Sequence, residues 1–352
     1  APQRHQQVLD VHAGLDVPRR LEHVEPVEEV AGELHLEVRA LRAVEGAQHE
    51  RLGERLQRHL RADPGQRLHR RADGALGFLH RVDLAKAHPA RTGGCRADNA
   101  EPGLPGQALE TLGQQLLAQG TRALIVLSPH WRSAKLAVTS HEAPVIVHDF
   151  YGFPKPLYEL KPEICGAPEL ASQLATHLAE HGLSAELRPQ QGFDHGAWVP
   201  YIHLFPNGGP PMLQLSMPVD WNGETALNIG ALVGEFARNK KAVVIGSGSL
   251  THNFDDMDLR AAKAGDGGQA QNLPYVHEFN TWVQERLRAC DSKAISRAEF
   301  DAPHFARAHP DDDHYLPLPF AMGAATNNFK VNVLPEDVRY KALSMQSFAF
   351  TA

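Results

Sequence analysis

Cysteine is nearly absent from this chain of 352 residues: Cys95, Cys165 and Cys290 stand far apart, which excludes a disulfide framework and any cysteine-rich zinc module. Long apolar runs are missing too. Stretches such as Ala123–Leu127 and Ala242–Ile245 fall far short of the ~20 residues that cross a bilayer, so no membrane partner is expected. There is no excess of positive charge; the formal net charge is -7, which leaves no electrostatic footprint for nucleic acid or an anionic membrane surface. A small molecule is therefore the expected partner and a reducing cytoplasm the expected compartment. Apolar residues at 42% and charged residues at 22% are ordinary for a globular protein and exclude disorder throughout or a collagen-like fibre. What the chain has in quantity is histidine, with 21.

Absences also divide the chain. Residues 1–100 contain no Ser, Ile, Met, Tyr or Trp, one Lys (Lys86) and one aromatic (Phe78), against 15 Arg and 9 His, whereas the remainder uses all of these types freely. With almost no large flat side chains, the first part has little to build a core from. The segment Glu50-Arg51-Leu52-Gly53-Glu54-Arg55-Leu56 has the i,i+4 Glu/Arg pattern of a solvated helix, which stabilises by only ~0.3 kcal/mol per pair. Two accounts stand side by side: residues 1 to about 98 are out of frame in a GC-rich gene, or they form a genuine Arg/His-rich extension, disordered for want of a core. On either account the catalytic domain is expected over residues 101–352.

From Glu101 onward the periodicities are regular. The spacing predicts helices over 106–119, 170–180, 224–239 and 276–289, with buried strands over 122–127, 212–217 and 242–245 and a short one over 145–147. Strands alternating with helices predict an α/β fold, a mostly parallel sheet with helices on both faces. In such folds reactive groups collect beyond the carboxyl ends of the strands.

Three histidines occupy such ends or sharp turns. His130 follows the strand at Leu124–Leu127, His252 follows Val243–Ile245 across a Gly/Ser loop, and His195 lies among glycines in Gly192-Phe193-Asp194-His195-Gly196. His314 closes an acidic run at the start of an apolar segment. Neutral imidazole is a common metal ligand, yet a lone histidine is more often a surface or packing residue. Trp131 and Trp198, beside two of them, read equally as a pocket wall or as core. Gly246-Ser247-Gly248-Ser249 lacks both the Walker ending and the dinucleotide spacing, His277-Glu278 lacks the second zincin histidine, and no serine sits in a nucleophile elbow.

Five segments, in order, carry a family resemblance: Leu127-Ser128-Pro129-His130-Trp131, His148-Asp149-Phe150-Tyr151-Gly152-Phe153-Pro154, Gly192-Phe193-Asp194-His195-Gly196-Ala197-Trp198, Gly246–Asn253 and His314-Tyr315-Leu316-Pro317-Leu318. Together they resemble the class III extradiol ring-cleavage dioxygenases of the DOPA-dioxygenase type, related to the catalytic subunit of protocatechuate 4,5-dioxygenase. The resemblance implies a non-haem metal, Fe(II) for ring cleavage or Zn(II) as in some relatives. It implies His130, His252 and His314 at the metal, His195 as acid/base and His148 lining the substrate pocket. It also implies a histidine ligand about ten residues before Pro102-Gly103, where this chain reads Arg91-Thr92-Gly93-Gly94-Cys95-Arg96; the ligand is missing, and Cys95 is the one alternative donor there.

The implied reaction opens a catechol ring with O2, the metal gathering both reactants and His195 taking the hydroxyl proton. Two other readings stay open: a zinc-dependent hydrolase or lyase on the same scaffold, and an inactive product of a damaged gene that lacks its first ligand. Which catechol is used, and the oligomeric state, are not written in the sequence.

Overall fold

The computed structural model describes residues 76–80, 104–151, 155–258, 271–326 and 328–351. The helix expected at 50–56, the Arg91–Arg96 slot and Cys95 lie outside the described residues.

A six-stranded sheet organises these residues, in the order β1-β6-β2-β5-β3-β4. Its strands are β1 (Leu76–His80), β2 (Ala123–Ser133), β3 (Ala137–Thr139), β4 (Glu186–Arg188), β5 (Met212–Pro218) and β6 (Ala242–Gly248). All neighbouring pairs run parallel except β3 with β5. The expected mostly parallel α/β sheet is thus present. It starts before the composition break: β1 pairs with β6, bringing His80 level with Gly248, so a strand of the sheet comes from within residues 1–100.

The helices are α1 (Leu104–Ala118), α2 (Pro168–Glu180), α3 (His195–Leu204), α4 (Gly223–Lys240), α5 (Pro274–Arg288), three short pieces α6 (Ser292–Ser296), α7 (Ala298–Asp301) and α8 (Phe305–Ala308), and α9 (Pro317–Ala324). Strand alternation assigns the two faces of the sheet. Leu124, Val126, Met212, Val243 and Ile245 pack under Leu109 and Leu116 of α1 and Trp198, Val199 and Leu204 of α3. On the opposite face α9 crosses so closely that a Cβ on Gly246 of β6 would stand 2.1 Å from the Pro317 carbonyl oxygen. The helix α4 is capped by Asn222, whose side chain accepts from the Thr225 N–H, and stops at Lys241 in the left-handed conformation, φ 54°, directly before β6.

Two local expectations are corrected. The strand expected at 145–147 is a single parallel bridge, Ile146 to Phe193, with Val147 N–H donating to the Phe193 carbonyl at 2.8 Å and Phe193 N–H to the Val145 carbonyl at 2.9 Å. The stretch after Gly192, expected as a turn, becomes α3 at His195 because Asp194 caps it, its carboxylate accepting from Ala197 N–H at 3.1 Å. The bridge and the cap together set residues 148–149 beside 194–195.

Candidate active site

Each candidate histidine is presented by a different element at the carboxyl rim of the sheet. His130 sits where the β2–β5 register slips between Leu127 and Arg132, an irregularity of the kind that re-aims a side chain out of the pleat. His195 is the first residue of α3 and only 1% exposed. His252 follows β6, its backbone N–H donating to the Ala308 carbonyl at 2.8 Å. His314 ends the 3-10 turn Asp312–His314, and its carbonyl accepts from Ser249 N–H at 3.0 Å, which ties that turn to the loop after β6.

The four rings form one connected run. His195 and His130 have centroids 3.9 Å apart, His130 and His314 5.1 Å, and His314 and His252 3.6 Å, the last pair stacked with planes 5° apart. His148 stands off from this run. Its ring packs edge-on to Phe150 and Trp198 at 5.7 and 5.6 Å and lies 6.3 Å from Tyr158, with Phe150 reaching from this aromatic group to His195 at 5.6 Å. Nε2 of His148 lies 2.8 Å from the Leu160 carbonyl oxygen, which only accepts, so Nε2 carries the proton and Nδ1 is the acceptor of the neutral ring. Trp198 is fully buried and donates from Nε1 to the Val147 carbonyl at 3.0 Å; it belongs to the core and backs His148 at once.

Carboxylates that residue-type reasoning left without a role hold these rings. Asp149 Oδ1 lies 2.8 Å from His195 Nδ1 and accepts the His195 backbone N–H at 2.9 Å, while Oδ2 lies 3.7 Å from His130 Nδ1. Burial raises the Asp149 carboxyl, but the bonds from His195 and the charges of His195 and His130 outweigh it and bring it down to about 2. An ionised Asp149 at 2.8 Å favours a proton on Nδ1 of His195, so that in the neutral ring the lone pair falls on Nε2. Asp313 Oδ1 similarly lies 2.8 Å from His314 Nδ1; burial pushes its carboxyl up, against the pull of His252 and the His314 N–H. Behind His195, Asp194 accepts from Ser128 Oγ at 2.8 Å and from Gln214 Nε2. Burial first, then the charge of Asp149, push the Asp194 carboxyl up to about 7 despite these donors. The signal for Asp149 and Asp194 was present in the sequence, since each adjoins a candidate histidine inside one of the five segments.

The donor chemistry fits a divalent first-row metal. Ligand atoms of His130, Asp149 and His195 all lie within 4.8 Å of one another, a two-histidine, one-carboxylate composition suited to non-haem iron. His252 and His314 add two imidazoles next to it. In their stacked arrangement the in-plane lone pairs run side by side, so holding one ion with both requires one ring to turn.

Comparison with known proteins gives this geometry a lineage. Residues 88–351 match the family described as the catalytic LigB subunit of aromatic ring-opening dioxygenase. The chain belongs to this family. It is an aromatic ring-opening dioxygenase by class, with relatives to match: it is 30% identical over 245 residues to a 4,5-DOPA dioxygenase extradiol of Beta vulgaris, covering 69% of this chain and 88% of the relative. A protein of the same description from Escherichia coli strain K12 is 30% identical over 233 residues, covering 64% and 81%. The crystal structure of an uncharacterized protein from Escherichia coli K12 superposes with a TM-score of 0.57 at 22% identity, covering 80% of this chain and 99% of that one, and so shares the fold. Among the described residues no helix is long and apolar enough to cross a membrane.

Proposed function

We propose that this LigB-family chain performs metal-dependent extradiol cleavage of a catechol-type, DOPA-like aromatic with O2, with His130, His252 and His314 holding the metal and His195 serving as acid/base. The observation that carries the reading is the continuous run of the four rings, delivered by four separate segments to one rim of the sheet. Fe(II), when bound by these residues, would supply the redox-active Lewis acid that cleavage of an aromatic ring by O2 requires, whereas Zn(II) in the same place would supply Lewis acidity alone. His195, with Nδ1 tied to Asp149, offers Nε2 to take a catechol hydroxyl proton and to return it when the ring opens to the semialdehyde. Its burial keeps bulk water from competing for that proton. His148, with Nδ1 as acceptor in an aromatic surround, lines the side of the pocket away from the four-ring run and suits a hydroxyl or ammonium donor on the substrate.

The convergence of His130, Asp149 and His195 favours a second ligand set, in which His195 binds the metal. One experiment separates the two. The chain is loaded anaerobically with Fe(II), metal content is measured, and O2 uptake is followed with a panel of catechols for the yellow ring-opened product. On the first reading His195→Ala keeps its metal and loses turnover by ~10²–10⁴-fold, the range of a general acid/base, while His252→Ala loses the metal. Loss of metal from His195→Ala with retention in His252→Ala selects the second set. Absence of O2 uptake with every catechol removes the ring-cleavage reading.

A further inference from the structure

Asp194 does more than its place at the start of α3 requires. An N-cap needs one acceptor for one backbone N–H, and Asp194 supplies it to Ala197 at 3.1 Å. The same buried carboxylate also takes the Ser128 hydroxyl, two residues before His130 on β2, and the amide of Gln214 in the middle of β5. Ser128 Oγ in turn accepts the His130 backbone N–H at 3.3 Å, and Gln214 Oε1 accepts the Asp194 backbone N–H at 3.3 Å. Gln214 is itself held, its N–H donating to Thr139 Oγ1 at 2.9 Å. The seat is close-fitting: a Cβ on Gly196 would stand 2.2 Å from Ser128 Oγ, 3.0 Å from His130 Cδ2 and 3.2 Å from Asp194 Oδ1. Two adjacent strands, through Ser128 of β2 and Gln214 of β5, and the first turn of α3 thus meet at one side chain, with the His130 backbone one hydrogen bond further on through Ser128.

We propose that Asp194, gripped by Ser128 and Gln214, is a positioning residue that sets the spacing of His130 and His195, and so controls the proton-transfer step while leaving affinity for the aromatic unchanged. The inference rests on the reading of His195 as acid/base. The bond pattern is directional, which makes it testable. In Asp194→Asn the new Nδ2 faces Gln214 Nε2, two donors; turning the Gln214 amide relieves that contact but sets Nε2 against the 194 backbone N–H. Adding Gln214→Glu cures both, because the introduced carboxylate accepts from the amide side chain and from the backbone, the charge having moved across the contact.

The experiment compares Ser128→Ala, Asp194→Asn and the exchange D194N/Q214E by steady-state kinetics and by the 15N resonances of the His195 imidazole, which report its tautomer without substrate. Asp194→Asn is expected to lower kcat by about tenfold or more with KM within about twofold and metal content unchanged, to shift the His195 resonances, and D194N/Q214E to restore both. Ser128→Ala, with one donor removed, moves both readouts in the same direction by less, and serves if Asp194→Asn does not fold. Wild-type kcat in Asp194→Asn or, failing that, in Ser128→Ala overturns the proposal, as does an exchange that regains thermal stability while kcat stays low. If the parent chain consumes no O2, the ring-cleavage reading falls, and the resonances alone decide the clamp: a shift undone by the exchange supports it, and no shift overturns it.

Discussion

Gly196→Ala puts one methyl group into the contact between α3 and β2, and its cost can be worked out. Ordinary contact begins at 3.4 Å, and the new Cβ would lie 2.2 Å from Ser128 Oγ, so the hydroxyl must withdraw by over an ångström. Ser128 is fully buried and its oxygen is pinned between Asp194 Oδ1 at 2.8 Å and the His130 N–H at 3.3 Å, so withdrawal breaks the first bond and strains the second. Leaving a buried acceptor short of a donor costs ~1–3 kcal/mol. Helix propensity returns at most ~1 kcal/mol, less in a first turn. The net loss of ~1–2 kcal/mol lowers the melting temperature by roughly 2–8 °C for a domain of this size. Turnover should fall further in proportion, by about 10- to 100-fold, because displacement of an imidazole by about 1 Å disrupts a near-attack geometry. The double variant S128A/G196A separates the causes: with the hydroxyl gone the methyl has room, so the two stability costs should fall short of additivity by ~1 kcal/mol. Wild-type melting and turnover in Gly196→Ala, or costs that simply add, would refute the reasoning.

Two further outcomes are expected. Asp149→Asn keeps an amide oxygen for the His195 backbone N–H but removes the negative charge that favours a proton on Nδ1 of His195, so the ring can adopt the wrong tautomer and turnover should drop by about 10²-fold or more; a near-wild-type kcat across the pH range would dissociate Asp149 from His195. His203, pushed by burial down to about 4 from 6.5, is held neutral when folded, so its contribution to stability is complete above 6.5 and is lost as pH falls towards 4. That contribution is at most about 3 kcal/mol, and His203→Leu should flatten the decline in denaturant-measured stability between pH 6.5 and 4; parallel declines in variant and parent would exclude the effect.

The strands that build the centre of the sheet were legible because they are buried on both faces and so consist of unbroken apolar runs, Ala123–Leu127 in β2 and Ala242–Ile245 in β6. Helices α2, α4 and α5 begin and end within two residues of the positions the periodicity predicts, since each has an amphipathic stripe and a clear boundary: Pro168 opens α2, Asn222 caps α4 and Pro274 opens α5. Helix α3 was illegible for the opposite reason. Buried on nearly every side and carrying Pro200 in its interior, it has no polar face to set a 3.6-residue rhythm. The edge strand β1 was hidden because Leu76–His80 lies within a stretch whose composition reads as foreign to the rest.

The site shows the same division at finer scale. Position at a strand end made His130 and His252 candidates and the five segments singled out all four, and the rings of His130, His195, His252 and His314 do converge. Carboxylates are abundant, so adjacency to a histidine is only a weak signal for Asp149 and Asp313, and it takes distance to show which ring each one touches. Asp194 and Gln214 are twenty residues apart and meet only because the N-cap of α3 is set against β5. Their partnership depends on hydrogen-bond direction, a property that no spacing rule contains. A residue type at a strand end therefore indicates which groups can react, whereas the direction of a buried donor or acceptor determines how they are held. That is why an exchange of two side chains of nearly equal size, carboxylate for amide, is a sharper probe of this rim than deletion of any one imidazole: it leaves volume and net charge in place and alters only the sense of the bonds.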